Sequence, residues 1–595
     1  CLKILFFYFG FFYSFTEIYF FKKQFLCQIY YFNLMNISTT DIIVFSAYCL
    51  LILFIGLYVS REKKGKVKSA EDYFLAGKSL PWWAIGASLI AANISAEQFI
   101  GMSGSGFALG LAIASYEWMA AITLLIVGKY FLPIFIEKGL YTIPEFIEKR
   151  FSTELKTILA IFWISLFVFV NLTTVLYLGG LALDTVMGTG DGSILFNSII
   201  GLALFAAAYS LWGGLAAVAW TDVVQVIVLV FGGLMMTYFA LVNLGDGGSA
   251  IEGLKYVYET VPERFSMILS KGEIITPNGK DAWFDLPGLA VLIGGMWVAN
   301  LYYWGFNQYI IQRTLAAKSL EEGQKGIVFA AFLKLLIPIF VVLPGIIVYV
   351  MNLDASGALA VESLDQGFIG ANGSIINDNA APWLIKEVIP IGLKGLILAA
   401  LAAAIVSSLA SMVNSTSTIF TMDIYKSIIN KNADDKSLVR VGRLAGLVAL
   451  IIAILIAPQL KSLGQVFQYI QEYTGVVSPG ILAVFLMGLF YKKASNNGAI
   501  FGVISSIPIA MYFKVGPNGW SSLAVFNHEV PFMNQMLITC LATMLIIFLV
   551  SRFEGNEDNP KGIAITEKLF KTSTVFNISA FSVCIITAFL YAFFW

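Results

Sequence analysis

The sequence predicts an all-α polytopic membrane protein with about 14 transmembrane helices. Three observations carry that reading. Hydrophobic residues make up 58% of the 595-residue chain, and charged residues only 12%. Apolar runs of about 20 residues, each able to span a bilayer, recur from Asp41 onward. Lys and Arg fall on alternate connections, as they do when one set of loops faces the cytoplasm. The formal net charge of zero implies no nucleic-acid partner. The five cysteines form no C-x-x-C pair, and the single histidine, His528, leaves a histidine metal site or a catalytic triad nothing to build with.

Residues 1–34 differ from the rest. Nearly half of them are Phe or Tyr, Ala and Val are absent, and no cleavage site follows a basic region. They are expected to be translated upstream sequence with Met35 as the natural start; an amino-terminal membrane anchor is the alternative. Within residues 35–60 the first apolar helix, 42–59, leads into the basic run REKKGKVK, which belongs in the cytoplasm. Residues 81–244 carry the runs 82–107, 111–136, 155–186, 194–211 and 216–244. The stretch 245–286 is long, polar and mixed in charge, and reads as an extracellular cap. Residues 287–491 carry the runs 289–311, 327–351, 395–420, 444–456 and 466–491, with Arg313, Lys318 and Lys325 on a cytoplasmic connection. Residues 492–595 add three peripheral helices. The even span count puts both ends outside, counted from Met35, in a plasma membrane of the bacterial inner-membrane type.

Two of these runs are too polar merely to span. AANISAEQF (91–99) places Asn93, Ser95, Glu97 and Gln98 inside an apolar segment. An ionised group at the bilayer centre costs roughly 2.5–3.5 kcal/mol on the insertion scale. Such clusters persist where the backbone is interrupted and lines a cavity, although a polar knot gluing helices together is the plainer explanation. GGMWVANLYYWGFNQYIIQ repeats the pattern, with Asn300, Asn307 and Gln308 flanked by Gly294, Gly295 and Gly305. These are the second and seventh segments, five apart, so two five-helix units beginning at them have inverted topology. Paired interruptions of this kind point to a transport site between inverted repeats.

Phosphate motifs do not compete. AGKS (76–79) has Asp72 where a P-loop needs glycine, and GSGFALG (104–110) lies in an apolar helix where glycines let helices approach. Accumulation without an ATP site must draw on an ion gradient. In LAALAAAIVSSLASMVNSTSTIF, the hydroxyls of Ser407 and Ser408, beside carbonyls freed at a helix break, are hard oxygen ligands for sodium; ordinary serine hydrogen bonding is the alternative. Intramembrane Glu117, Lys334, Gln98, Asn300 and Gln471 are candidates for a pocket that binds a hydroxyl-rich neutral ligand. Tyr302, Tyr303, Trp304, Tyr116 and Phe467 offer rings to stack on it. A structural Glu–Lys pair with scattered amides would look the same.

The motifs AANISAEQFIGMSGSG, GGLAAVAWTDVVQ, WVANLYYWGFNQYIIQRTLAAKS, AAAIVSSLASMVNST and FQYIQEYTGVVSPGILAVF closely resemble the bacterial sodium/galactose symporters of the sodium:solute symporter family. The resemblance runs from about Asp41 to Trp595 and leaves out residues 1–34. It implies a leucine-transporter-like core of five plus five helices, two of them discontinuous. By matching motifs, the carbonyls of Ala91, Ile94 and Ala404 and the hydroxyls of Ser407 and Ser408 would hold Na+. Asn93, Gln98, Glu117, Asn300, Lys334 and Gln471 would bind the sugar. Tyr303 would stack beneath it as the inner gate, braced by Tyr302, with Met102, Tyr116 and Phe467 closing from outside. Asp222 matches an acidic residue on the sodium exit path. One departure is Ala120, where the sugar transporters have serine.

The expected function is sodium-coupled symport of a galactose- or glucose-type hexose by alternating access, with no enzymatic activity and with sodium, sugar and lipid as the partners. A symporter for another small neutral solute, or a sugar sensor that binds without accumulating, are the alternatives.

Overall fold

The computed structural model describes residues 38–61, 68–187, 192–245, 248–364, 366–370, 373–462, 466–519, 530–555 and 557–595. The expectations for residues 1–34 and for a start at Met35 lie outside the described residues. Among these residues the structure is helices and loops, with only isolated β-bridges such as Leu80 to Ala317. Among the described residues eleven helices are long and apolar enough to cross a membrane; the number is 12 if Ala282–Ile293 and Gly295–Phe306, bent by 77°, make one span.

Three helices begin at a side-chain cap and not where an apolar run begins. Ser38 and Asp41 form a capping box on Thr39–Val59, while Ser319 caps Leu320–Met351 and Asp434 caps Asp435–Ile456. The last two therefore start well before the apolar runs read from sequence at 327 and 444, because polar turns extend a helix beyond the hydrocarbon.

The bundle is organised around Lys394–Ile419, of which only Leu396 is not buried. Its alanines let Leu215–Leu244, Leu195–Gly213 and Trp82–Asn93 pack directly against it. The first helix is the opposite case: Leu50 is 67% and Phe54 64% exposed among the described residues, an apolar face suited to lipid.

Both interrupted segments break in the backbone. Trp82–Asn93 ends at Ile94, whose ψ of 92° is extended; a π turn, Glu97–Met102, and the helix Ser103–Leu109 follow. Gly110, at φ 77°, stops that helix in a conformation that favours glycine. The second, Gly295–Phe306, breaks at Asn307 (ψ 118°) before Gln308–Leu315. Of the Gly104–Gly110 glycines, Gly106 is the one at which two α-helices touch. A Cβ added at Gly106 would lie 2.4 Å from the Val342 carbonyl oxygen, and one at Gly345 would lie 1.9 Å from that of Ser103. The helix Ser103–Leu109 thus meets Leu320–Met351 backbone to backbone.

Candidate functional site

The first break organises the site by releasing carbonyls. Ser95 N–H would close the next helical turn onto Ala91, but it donates to Gln98 Oε1 at 3.1 Å. The Ser95 hydroxyl donates to the same oxygen at 2.8 Å and accepts from Glu97 N at 3.0 Å. The Ala91 carbonyl is thereby freed from the helix ladder. Gln98, expected to face a ligand, turns its oxygen back to cap the break. Glu97 Oε1 accepts from the Thr174 hydroxyl at 3.2 Å.

Two polar clusters meet at this break. In the first, the Lys334 ammonium donates to Asn93 Oδ1 and to Glu117 Oε2, and lies 4.9 Å from the centre of the Trp304 ring. Asn93 Nδ2 donates to the Tyr303 hydroxyl at 3.1 Å, which also accepts from the Tyr309 hydroxyl at 2.7 Å. One chain of contacts therefore joins Glu117, Lys334, Asn93, Tyr303 and Tyr309 across both broken helices. Lys334 and Glu117 are 1% and 2% exposed, so each neutralises a charge the other could not carry alone. Asn300 is buried, and its Nδ2 has no hydrogen-bond partner among the described residues. Such a group is a free donor for a water or a ligand.

In the second cluster, Asp222 accepts from the Ser88 hydroxyl at 2.5 Å and the Ser407 hydroxyl at 2.6 Å, and pairs with Arg313 at 3.2 Å. Arg313 also donates to Ser88, Ser411 and the Tyr309 carbonyl. The Ser408 hydroxyl donates to the Ala92 carbonyl at 3.0 Å, joining the central helix to the break. A hydroxyl that donates its proton keeps its oxygen lone pairs. Asp222 and the Ala92 carbonyl thus take the protons of Ser407 and Ser408 and leave both hydroxyl oxygens able to accept. Ala404 is buried in the same helix one turn earlier, and Ile94 is buried at the break itself.

Of the remaining expected residues, Tyr302, Met102 and Tyr116 are buried near these elements, and Ala120 is buried on the helix of Glu117. Gln471 is half-buried on Val466–Phe490, a helix that packs against the Glu97–Met102 turn. Phe467 lies outside the residues whose side chains are described.

Arg313 is a difference from the sequence reading. Assigned there to a cytoplasmic connection, it is fully buried on Gln308–Leu315, because the chain past Asn307 resumes as helix. Gln312, which the sequence reading did not single out, donates to the Phe74 carbonyl at 2.7 Å and accepts from Ser415 at 2.8 Å. The available signal was spacing: Tyr309 and Arg313 are four apart and share a helical face. A separate cavity of about 160 Å³, lined by the ion pairs Lys280–Asp285 (2.6 Å) and Lys514–Glu472 (2.7 Å), contains none of these residues.

Residues 73–506 match the profile of the sodium:solute symporter family. The chain is 60% identical over 566 residues to the sodium/glucose cotransporter of Vibrio parahaemolyticus, covering 94% of this chain and 99% of that protein. It is 35% identical to the human sodium/myo-inositol cotransporter 2, over 79% of this chain and 69% of that one. The structure aligns with a Na+-coupled sialic acid symporter solved in a substrate-bound, outward-open state. The TM-score is 0.70 at 23% identity, over 89% of this chain and 99% of that one, a likeness of fold.

Proposed function

The chain belongs to the sodium:solute symporter family, and from that premise we propose that it carries a galactose- or glucose-type hexose together with sodium by alternating access. The observation that carries the proposal is the joining of the two clusters at one helix break. Freed carbonyls and oriented hydroxyls suit sodium, while the Lys334–Glu117–Asn93 group suits a ligand made of hydroxyls. Lys334 can donate to a sugar hydroxyl and Glu117 can accept from one, bonds stronger than neutral ones. Because the pair is neutral overall, it favours a polar ligand without net charge. The Vibrio relative named as a sodium/glucose cotransporter agrees with that choice.

In this reading Ala91, Ile94 and Ala404 offer carbonyls, and Ser407 and Ser408 hydroxyls, to sodium. Asn93, Gln98, Glu117, Asn300, Lys334 and Gln471 hold the sugar. Tyr303 is the inner gate, Tyr302 its brace, and Met102, Tyr116 and Phe467 the outer one. Asp222 receives sodium on its way to the cytoplasm by exchanging Arg313 for the ion. Sodium drives the cycle only by binding one conformation better than the other.

We read the chain as 14 crossings, with five-helix repeats starting at Trp82 and Leu289 and both ends outside. The break at Gly110 within the 41-residue run Glu97–Glu137 supports counting two crossings there. The matched breaks at Ile94 and Asn307 support the repeat. A second reading, another neutral polyol, is favoured by Ala120 and by the myo-inositol relative. Uptake into proteoliposomes against a panel of labelled hexoses and inositols, with and without a sodium gradient, decides between them. Sodium-independent uptake of every compound would overturn symport. Binding without counterflow would indicate a sensor.

A further inference from the structure

We infer that Arg264, on the extracellular cap, is a positioning residue for the sugar site. It fixes the outer half of the first broken helix, which carries Gln98 and Met102, against the helix that carries Lys334. The inference rests on the sugar site proposed above.

One Arg264 guanidinium nitrogen donates to the carbonyl of Phe107 at 3.0 Å and to that of Ala108 at 3.2 Å. These belong to the last turn of Ser103–Leu109, where carbonyls lack partners within the helix and a positive charge is favourable. The centre of the guanidinium lies 3.4 Å from the ring centre of Tyr349, near the end of Leu320–Met351. The Arg264 carbonyl oxygen closes over Gly110, where an added Cβ would come within 2.4 Å and φ is 77°. Arg264 is 4% exposed although it belongs to a loop. The side chain therefore ties two helices together at the point where its own carbonyl closes over Gly110.

That point is remote from the proposed sugar site but joined to it by the continuous helical run Glu97–Leu109. Gln98 and Ala108 are ten residues apart, about 15 Å along a helix, so a small tilt at the outer end displaces the polar groups at the inner end. Displacements near 1 Å are costly where several groups must converge on one ligand. The proposed sodium ligands lie elsewhere, Ala91–Ile94 before the outer half and Ala404–Ser408 on Lys394–Ile419, and the Arg264 side chain bonds to none of them.

The test is hexose transport by the full chain in proteoliposomes at saturating sodium. Arg264→Gln should raise the half-saturating hexose concentration about tenfold, with the maximal rate per folded protein near the parent's. Sodium activation, measured at saturating hexose, should change less than twofold. Arg264→Lys keeps the charge but not the planar fork, and should fall between the two. A purely structural role would lower the yield of folded protein and leave half-saturation unmoved, which would overturn the inference. If Arg264→Gln does not fold, Tyr349→Leu must raise half-saturation in the same direction; an unchanged value overturns the inference equally. Failure of the parent to transport any hexose would instead defeat the sugar reading.

Discussion

Replacing Lys334 by Met removes the ammonium at the centre of the buried cluster while keeping most of the side chain's bulk. The ammonium serves both Asn93 Oδ1 and Glu117 Oε2, and Glu117 is 2% exposed. The variant therefore strands a carboxylate away from water, a loss of about 3–5 kcal/mol. Glu117→Gln strands Lys334 in turn, at a similar cost. The double variant removes both charges and should recover most of the stability, giving a coupling of at least about 2 kcal/mol. Hexose affinity should not recover with it. Each hydrogen bond to a charged group contributes about 1.5–3 kcal/mol, so the double variant should bind hexose at least about 10- to 150-fold more weakly. Thermal unfolding in detergent reads the first quantity, and equilibrium binding of labelled hexose at saturating sodium reads the second. A double variant that regains stability and also binds hexose within twofold of the parent would show that the pair only holds helices together.

Three other outcomes follow from the second cluster and from Ala120. Ser408→Ala removes one of the two hydroxyl oxygens proposed for sodium; half-activation by sodium should rise about tenfold while sodium-independent sugar exchange persists, and an unchanged sodium dependence refutes the assignment. Asp222→Asn takes the countercharge from fully buried Arg313 and should cost about 3–5 kcal/mol, read as a fall in the unfolding midpoint; an unmoved midpoint means that Arg313 is satisfied by its other acceptors. Ala120→Ser should tighten galactose or glucose a few-fold at constant sodium affinity, a net neutral hydrogen bond being worth about 0.5–1.5 kcal/mol. Identical competition curves for every epimer in both proteins would show that position 120 does not face the sugar.

The sequence made the breaks legible because polar residues in an apolar run are expensive, and both interruptions are breaks in the backbone. It also exposed Glu117 and Lys334 as anomalies, but not as partners: 217 residues separate them, beyond the reach of any local periodicity. Ser407 and Ser408 were found together, yet their different acceptors, Asp222 and the Ala92 carbonyl, depend on how the helices pack. Arg313 was misplaced for a related reason. An arginine just past an apolar run reads as cytoplasmic unless the residues that bury it are known, and those, Ser88, Asp222 and Ser411, lie on three other helices. Arg264 gave no signal, because its partners are backbone carbonyls and a ring.

The contact between Ser103–Leu109 and Leu320–Met351 has an electrical consequence. A symporter is useful only while it does not short-circuit the gradient that drives it, since each sodium that slips through alone spends the gradient without moving sugar. Slippage needs a file of water, and each water needs a void of about 10–15 Å³ with polar neighbours. Where the Ser103 carbonyl lies against Gly345, and that of Val342 against Gly106, no side chain stands between the backbones to rotate aside. No rotamer change can open a momentary gap there. The seam is insulation built from main chain, and it closes this one route between the two helices.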